Sequence, residues 1–204
     1  MYVLTNAQAT TAGIRNALNA VLTVAGPPDT FILYFSGHTA QLGQANEFLV
    51  TYDSDAQDLA TTAIPESDVA TALKSSHAGR ILVFVDSVQA NAFANISDDR
   101  FFILTATRAG QTALESVNFG GGHGAFTYFL LRALNGDADA DNNGSITLDE
   151  IYRYVSTQVR SATSGKEIPR VSGGLPLNTP LADTAKQGLT LPPYTNPPAQ
   201  VLRK

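Results

Sequence analysis

The sequence predicts an α/β domain with a mostly parallel central sheet flanked by helices. Three short runs, Phe31 to Phe35, Ile81 to Val85 and Phe101 to Leu104, are apolar almost without interruption, the pattern of strands buried on both faces. Around them lie stretches whose apolar residues recur at helical spacing, and strands that alternate with helices build parallel sheets. Sixteen glycines and ten prolines supply the turns.

In chain order, Tyr2 to Leu4 reads as a short strand. Thr10 and Thr11 offer caps for a helix whose Ile14, Ala17, Leu18, Val21 and Leu22 share one face, and Gly26-Pro27-Pro28 stops it. Thr30 to Phe35 is the first strongly buried strand, breaking at Ser36-Gly37-His38, and Glu47 to Tyr52 is a weaker one. Pro65 opens a helix with Val69, Ala72 and Leu73 on one side, which must end before Gly79. Arg80 to Val85 and Phe101 to Thr105 are the second and third buried strands. Gly120 to Gly124 reads as a tight turn, with a backbone anion nest as the second reading, leading into a helix that places Phe126, Phe129, Leu130, Ala133 and Leu134 inward. The last helix buries Leu148, Ile151, Tyr152, Val155 and Val159. From about Gly165 the chain reads as irregular, and Pro192, Pro193, Pro197 and Pro198 favour an extended polyproline-like tail. The domain is therefore placed at 1–183 and the tail at 184–204. A parallel sheet carries its working residues beyond the carboxyl ends of its strands, which directs attention to two loops, Ser36 to Gln41 and Asp86 to Asn91.

Composition narrows the chemistry. The 204 residues are 44% hydrophobic, with 13 basic against 18 acidic side chains and a net charge of −5. That balance argues against a protein that tracks nucleic-acid phosphates, and no apolar run approaches the ~18 residues of a membrane span. The start of the chain lacks a basic region followed by an apolar stretch, so a soluble and slightly favoured cytoplasmic location is the expectation. There is no cysteine. Thiolate metal sites, disulfide frameworks and thiol nucleophiles are all excluded within this sequence.

One segment has metal-ligand spacing. Asp139 to Glu150 fits the twelve-position calcium loop of a helix–loop–helix hand: Asp139, Asp141 and Asn143 fall at positions one, three and five, and Gly144 at the sharp sixth-position turn. Ser145 offers its carbonyl at seven, Thr147 acts at nine directly or through water, and Glu150 is placed to bind through both oxygens at twelve. Ile146 should point into the core. So many protein oxygens suit one calcium ion better than magnesium, and a single hand suits a clamp on two helices better than a switch. The competing reading is an acidic turn that caps the helix starting near Thr147.

His38 at one strand end, with Asp86 and Ser87 at another, also permits a Ser–His or His–Asp arrangement. The order of the segments "DTFILYFSGH", "RILVFVDS", "FFILTATRAGQTALES" and "GHGAFTYFLLRALNGDADADNNGSITLDEIYRYV" resembles the caspase-like proteases, most closely the bacterial members of the caspase, metacaspase and orthocaspase group. The resemblance runs from about Ala9 to Leu181 and implies the caspase-like sandwich. It also implies that His38 is the counterpart of the family's general base, and that Asp86 ends the strand two residues before the family's cysteine, in a motif of the type D-x-C-H-S-G.

At those positions the sequence departs from the family. The cysteine slot falls on Val88, followed by Gln89, Ala90 and Asn91, and Thr39 replaces the glycine after the histidine. Valine has neither a proton to give up nor a lone pair to attack a carbonyl, so the vestigial dyad positions His38 and Val88 cannot run the family's hydrolysis. The resemblance thus implies a pseudoprotease acting as a regulatory, scaffold or structural subunit. The alternative is a hydrolase of altered chemistry, with Ser87 or a partner-supplied residue working beside His38, although Ser87 should face away from the slot that Val88 fills. Relative to the family, the chain also lacks a first strand that lies inside the sheet. The expected gap would be filled by the tail around Gly188 to Leu191, by an upstream piece, or by another protein chain that completes the sheet.

Overall fold

The computed structural model describes residues 1–43, 46–88, 93, 95–108, 110–184 and 202–203. After a single 3-10 turn at Asn6–Gln8, helix α1 spans Thr11–Leu22, and the Thr10 hydroxyl caps it by accepting from the Gly13 amide at 3.0 Å. Strand β1 (Thr30–Ser36) follows. A hairpin of β2 (Thr39–Leu42) and β3 (Asn46–Leu49) comes next, then the short helix α2 (Leu59–Thr62), β4 (Ile64–Pro65) and α3 (Glu66–Ser75). Strands β5 (Arg80–Asp86) and β6 (Phe101–Thr105) precede two short strands, β7 (Leu114–Ser116) and β8 (His123–Gly124). Helix α4 (Ala125–Arg132) runs on into a π turn at Ala133–Asp137, and β9 (Ser145–Thr147) leads into α5 (Leu148–Ala162). β10 (Arg170–Ser172), β11 (Pro180–Asp183) and β12 (Leu202–Arg203) complete the described elements.

The central sheet has the order β1-β5-β6-β10, with β1, β5 and β6 parallel and β10 antiparallel on β6. Alternation along β5 explains its uninterrupted apolar sequence. Leu82 and Phe84 enter the core under α4 and α5, while Ile81, Val83 and Val85 enter the core under α1 and α3. Each fully buried side chain of this kind contributes about 1.5–3 kcal/mol. Phe84 and Phe102 meet edge to face in the first core, centroids 6.1 Å apart.

Several expectations are corrected. Tyr2 to Leu4 is not a strand; Tyr2 and Val3 are exposed. Among the described residues the sheet runs β1-β5-β6-β10 without an interior gap. Instead β1 is its edge, with no strand beyond it among the described residues. For the same reason β1 is buried on one face only: Phe31, Leu33 and Phe35 pack with the α1–α3 core, whereas Ile32 is 55% and Tyr34 46% exposed. The apolar run signalled a two-sided strand, but α4 covers that face only in part: Thr127 meets Tyr34, while Ile32 and Tyr34 stay about half-exposed. The loop expected after His38 becomes β2, because Thr39 to Leu42 pair with β3, and β3 ends at Leu49 before the predicted Tyr52. The region after Gly165, expected to be irregular, holds β10 and β11, each too short to carry a periodic signal. Tyr152 is only partly buried. The tail positions Gly188 to Leu191, the prolines from 192 to 198, and Gln89 to Asn91 lie outside the described residues.

Candidate functional site

The two loops singled out by the topology do meet at the carboxyl end of the sheet. Parallel register sets Ser36 beside Asp86, and the Gly37 amide donates to the Asp86 carbonyl at 3.3 Å. His38 follows, exposed, its carbonyl accepting from the Val50 amide at 3.0 Å. The turn is thus tied to both β5 and the β2–β3 hairpin.

Beyond Asp86 the hydroxyls of Ser87, Thr107 and Thr127 all bond to other groups of the protein. The Ser87 hydroxyl is buried and donates to Thr39 Oγ1 at 3.0 Å, so its proton is directed at a threonine. Thr107 Oγ1 spans the carbonyls of Ser87 and Val88 at 2.9 and 2.7 Å, which fixes the backbone where Val88 sits, half-buried. The Asp86 carboxylate is 1% exposed and accepts a short hydrogen bond from Thr127 Oγ1. Having given its one proton to Asp86, Thr127 must accept from Tyr34 at 2.6 Å, so a relay runs from the phenol through Thr127 to the carboxylate. Gly124 closes the pocket: a Cβ there would run into Asp86 Oδ2, so any larger residue would have to displace that buried carboxylate.

Sequence reasoning placed His38, Asp86, Ser87 and Val88 at neighbouring strand ends, as observed. It missed Thr127, Tyr34 and Thr107, since a lone hydroxyl beside a helix or strand carries no signal until the fold brings it to a partner. The Gly120 to Gly124 stretch forms the turn: amides of Gly121, Gly122 and His123 donate to carbonyls of Val117 and Phe119, leaving those three amides no role as an anion nest.

The acidic loop is built differently. Carboxylate oxygens of Asp139, Asp141 and Glu150 lie within 4.8 Å of one another. Backbone amides turn them inward: Asn143 N–H donates to Asp139 Oδ1 and Asp141 Oδ1, both at 3.1 Å, and Gly144 N–H to Asp139 Oδ2 at 3.0 Å. Gly144 has φ +82°, the left-handed conformation that makes the sixth-position turn sharp. Asn143 Oδ1 accepts from Ser145 N–H at 2.8 Å, and Ile146 is fully buried beneath.

Thr147 caps α5 in a reciprocal capping box with Glu150, whose Oε2 accepts from the Thr147 amide and hydroxyl at 2.8 Å each. The capping function given as the competing reading is therefore present, together with the convergence of carboxylates. Burial raises the Glu150 carboxyl, but hydrogen bonds from the Thr147 backbone and side chain and from the Ala140 and Asp141 amides outweigh it and hold the group below its ordinary value. An ionised Glu150 among two other carboxylates is a donor set suited to a hard cation with oxygen ligands, and every sequence-predicted ligand lies in this one loop.

Among the described residues no helix is long and apolar enough to cross a membrane. Residues 2–178 match the family model of the caspase domain. No curated protein matches the chain.

Proposed function

The chain belongs to the caspase-domain family, and from that premise we propose that it is a member whose fold persists without the peptidase chemistry: a calcium-binding subunit that works by holding another protein chain. The observation that carries this reading is the residue at the nucleophile position. Val88 occupies it in a chain with no thiol anywhere, and its backbone is pinned there by Thr107.

The hydrolase alternative needs Ser87 to be activated. Its hydroxyl is buried and donates to Thr39, so the base that would have to take its proton is not its hydrogen-bond partner. Asp86, the family's strand-end acid, is likewise sealed by Gly124 and Thr127.

In the acidic loop, Asp139, Asp141, Asn143 and Glu150 would hold the ion through side chains, with Ser145 through its carbonyl and Thr147 directly or through water. A bound calcium would neutralise three converging carboxylates and clamp the turn after α4 to the start of α5.

The test is incubation with peptides carrying a basic or an acidic residue before the scissile bond, with calcium present. No turnover above blank is expected, and no labelling of Ser87 by a serine-directed probe. A measurable rate that His38→Ala abolishes would overturn the reading.

A further inference from the structure

Besides its carboxylates, the acidic loop holds a pair of residues that can change covalently. Asn-Gly occurs twice in the chain, at Asn135-Gly136 and at Asn143-Gly144. In such a pair the glycine nitrogen can add to the asparagine side-chain carbonyl, because no Cβ obstructs the approach. The structure treats the two pairs differently. Asn135 lies inside the π turn Ala133–Asp137 with its side-chain oxygen buried, which keeps water from the amide. Asn143 is exposed, and the polar atoms that would react all have partners within the loop. Ser145 N–H donates to Asn143 Oδ1 at 2.8 Å, Asn143 Nδ2 donates to Asp141 Oδ2 at 2.9 Å, and Gly144 N–H donates to Asp139 Oδ2 at 3.0 Å.

We propose that Asn143 is a self-modification site: in the folded chain its side-chain amide is converted to a carboxyl, while Asn135 is spared. The Gly144 nitrogen forms a bond to Asn143 Cγ, the Cγ–Nδ2 bond breaks, and ammonia departs with the proton that Gly144 gives up, passed to it through water. A water molecule then opens the resulting imide at either carbonyl, leaving aspartate or isoaspartate. The net change is one water consumed and one ammonia released. Three contacts bear on the step. The Ser145 amide lies where negative charge builds on Asn143 Oδ1 as the ring closes, the placement of an oxyanion donor. Asp141 sits beside the nitrogen that must become positive to leave, and opposite charges at this range attract. Asp139 is the brake: Gly144 N–H must leave it before the nitrogen can attack, so the reaction passes through a local opening of the loop. The product carries a further carboxylate in the loop and makes the chain one charge more negative than its −5. The modification stands on these hydrogen bonds alone; only its response to calcium rests on the reading above.

Both asparagines fall on one tryptic peptide, Ala133 to Arg153, so fragment masses compare them within the same molecule. The test is to incubate the full chain at neutral pH and physiological temperature in chelator, once native and once in urea, and to map that peptide over time. In the native chain the acid should accumulate at Asn143 at least ~10-fold faster than at Asn135, and urea should bring the two rates together, since only the fold distinguishes them. Isoelectric focusing of the native chain should show a more acidic band growing in step. Asn143→Gln, whose longer side chain would have to close a larger ring, should lack that band. Equal rates at the two positions in the native chain, reaction at Asn135 first, a native Asn143 that stays unchanged, or an acidic band that survives Asn143→Gln would each overturn the proposal. Calcium should slow the Asn143 step at least ~10-fold, because the reaction is then confined to the small ion-free fraction. Equal rates at Asn143 in calcium and in chelator would overturn the calcium reading and leave the modification standing, so the two failures are distinguishable.

Discussion

The strand-end pocket and the acidic loop both gather polar residues, yet they spend them in opposite ways. At the end of β5, Asp86 is buried and Ser87 and Thr107 donate to other groups of the protein, so the described polar atoms close on one another. In the 139–150 loop the amides of Asn143 and Gly144 hold carboxylates toward a common point at the surface, where like charges repel unless a cation joins them. In the first site the described hydroxyls are engaged by other groups of the protein. The other brings three carboxylates to one point, the arrangement on which the calcium proposal rests.

The largest effect that tests this contrast is calcium itself. If the loop binds, calcium at about 100 times its dissociation constant should stabilise the fold by about 2.7 kcal/mol. For a chain of this size that is a rise of roughly 5–10 °C in melting temperature. Glu150→Gln should remove most of the shift while leaving the calcium-free melting temperature nearly unchanged, because glutamine can still accept from the Thr147 amide and keep the cap. Absence of any calcium-dependent shift at millimolar levels would reduce the loop to a helix cap and erase the contrast.

A somewhat smaller effect is expected at the strand end. Thr127→Val keeps the shape of the side chain but removes the proton given to Asp86 and the acceptor used by Tyr34. A buried carboxylate that loses a donor costs about 1.5–3 kcal/mol, and the loss should be the same with and without calcium. A thermal melt that shows no loss would mean that the pocket is not internally satisfied in the way described.

How much of this was legible beforehand differs between the two sites for the same reason. The acidic loop is local: its ligand positions, the Gly144 turn and the inward Ile146 all fall within twelve consecutive residues, so spacing alone describes them. The strand-end pocket is non-local. Asp86 and His38 could be read from strand ends, but Thr127 reaches Asp86 from 41 residues away and Tyr34 reaches Thr127 from 93, separations that leave no periodic trace. The same limit governs the fold. β5 and β6 were legible as apolar runs because both faces are covered, whereas β1 looked identical and turned out half-exposed. Whether a neighbouring layer extends far enough to cover an edge strand is a property of α4 and α5, not of the strand. β10, three residues long, is held by its ladder to β6, not by any pattern of its own.

The smallest effect supplies the baseline for both measurements. At the opposite end of the sheet, Arg100 lies 2.8 Å from Asp98 and also donates to the carbonyls of Ser76 and Lys74 at 2.7 and 3.0 Å. The hydrogen bond from Arg100 holds the Asp98 carboxyl below its ordinary value of 3.8, with partial burial opposing it. A carboxyl lowered in the folded state stabilises the protein fully above the unfolded value, and that contribution is lost as pH falls through the lower folded value. Acid should therefore draw on this pair only below about pH 4, and Asp98→Asn should flatten that part of the stability profile while costing under about 1 kcal/mol at neutral pH, since both side chains are about one-third exposed. Because neither residue touches the loop or the pocket, the cost should be identical in calcium and in chelator. If Asp98→Asn changed the calcium-dependent shift, calcium stabilisation would be a property of the whole sheet and could not be assigned to the clamp between α4 and α5.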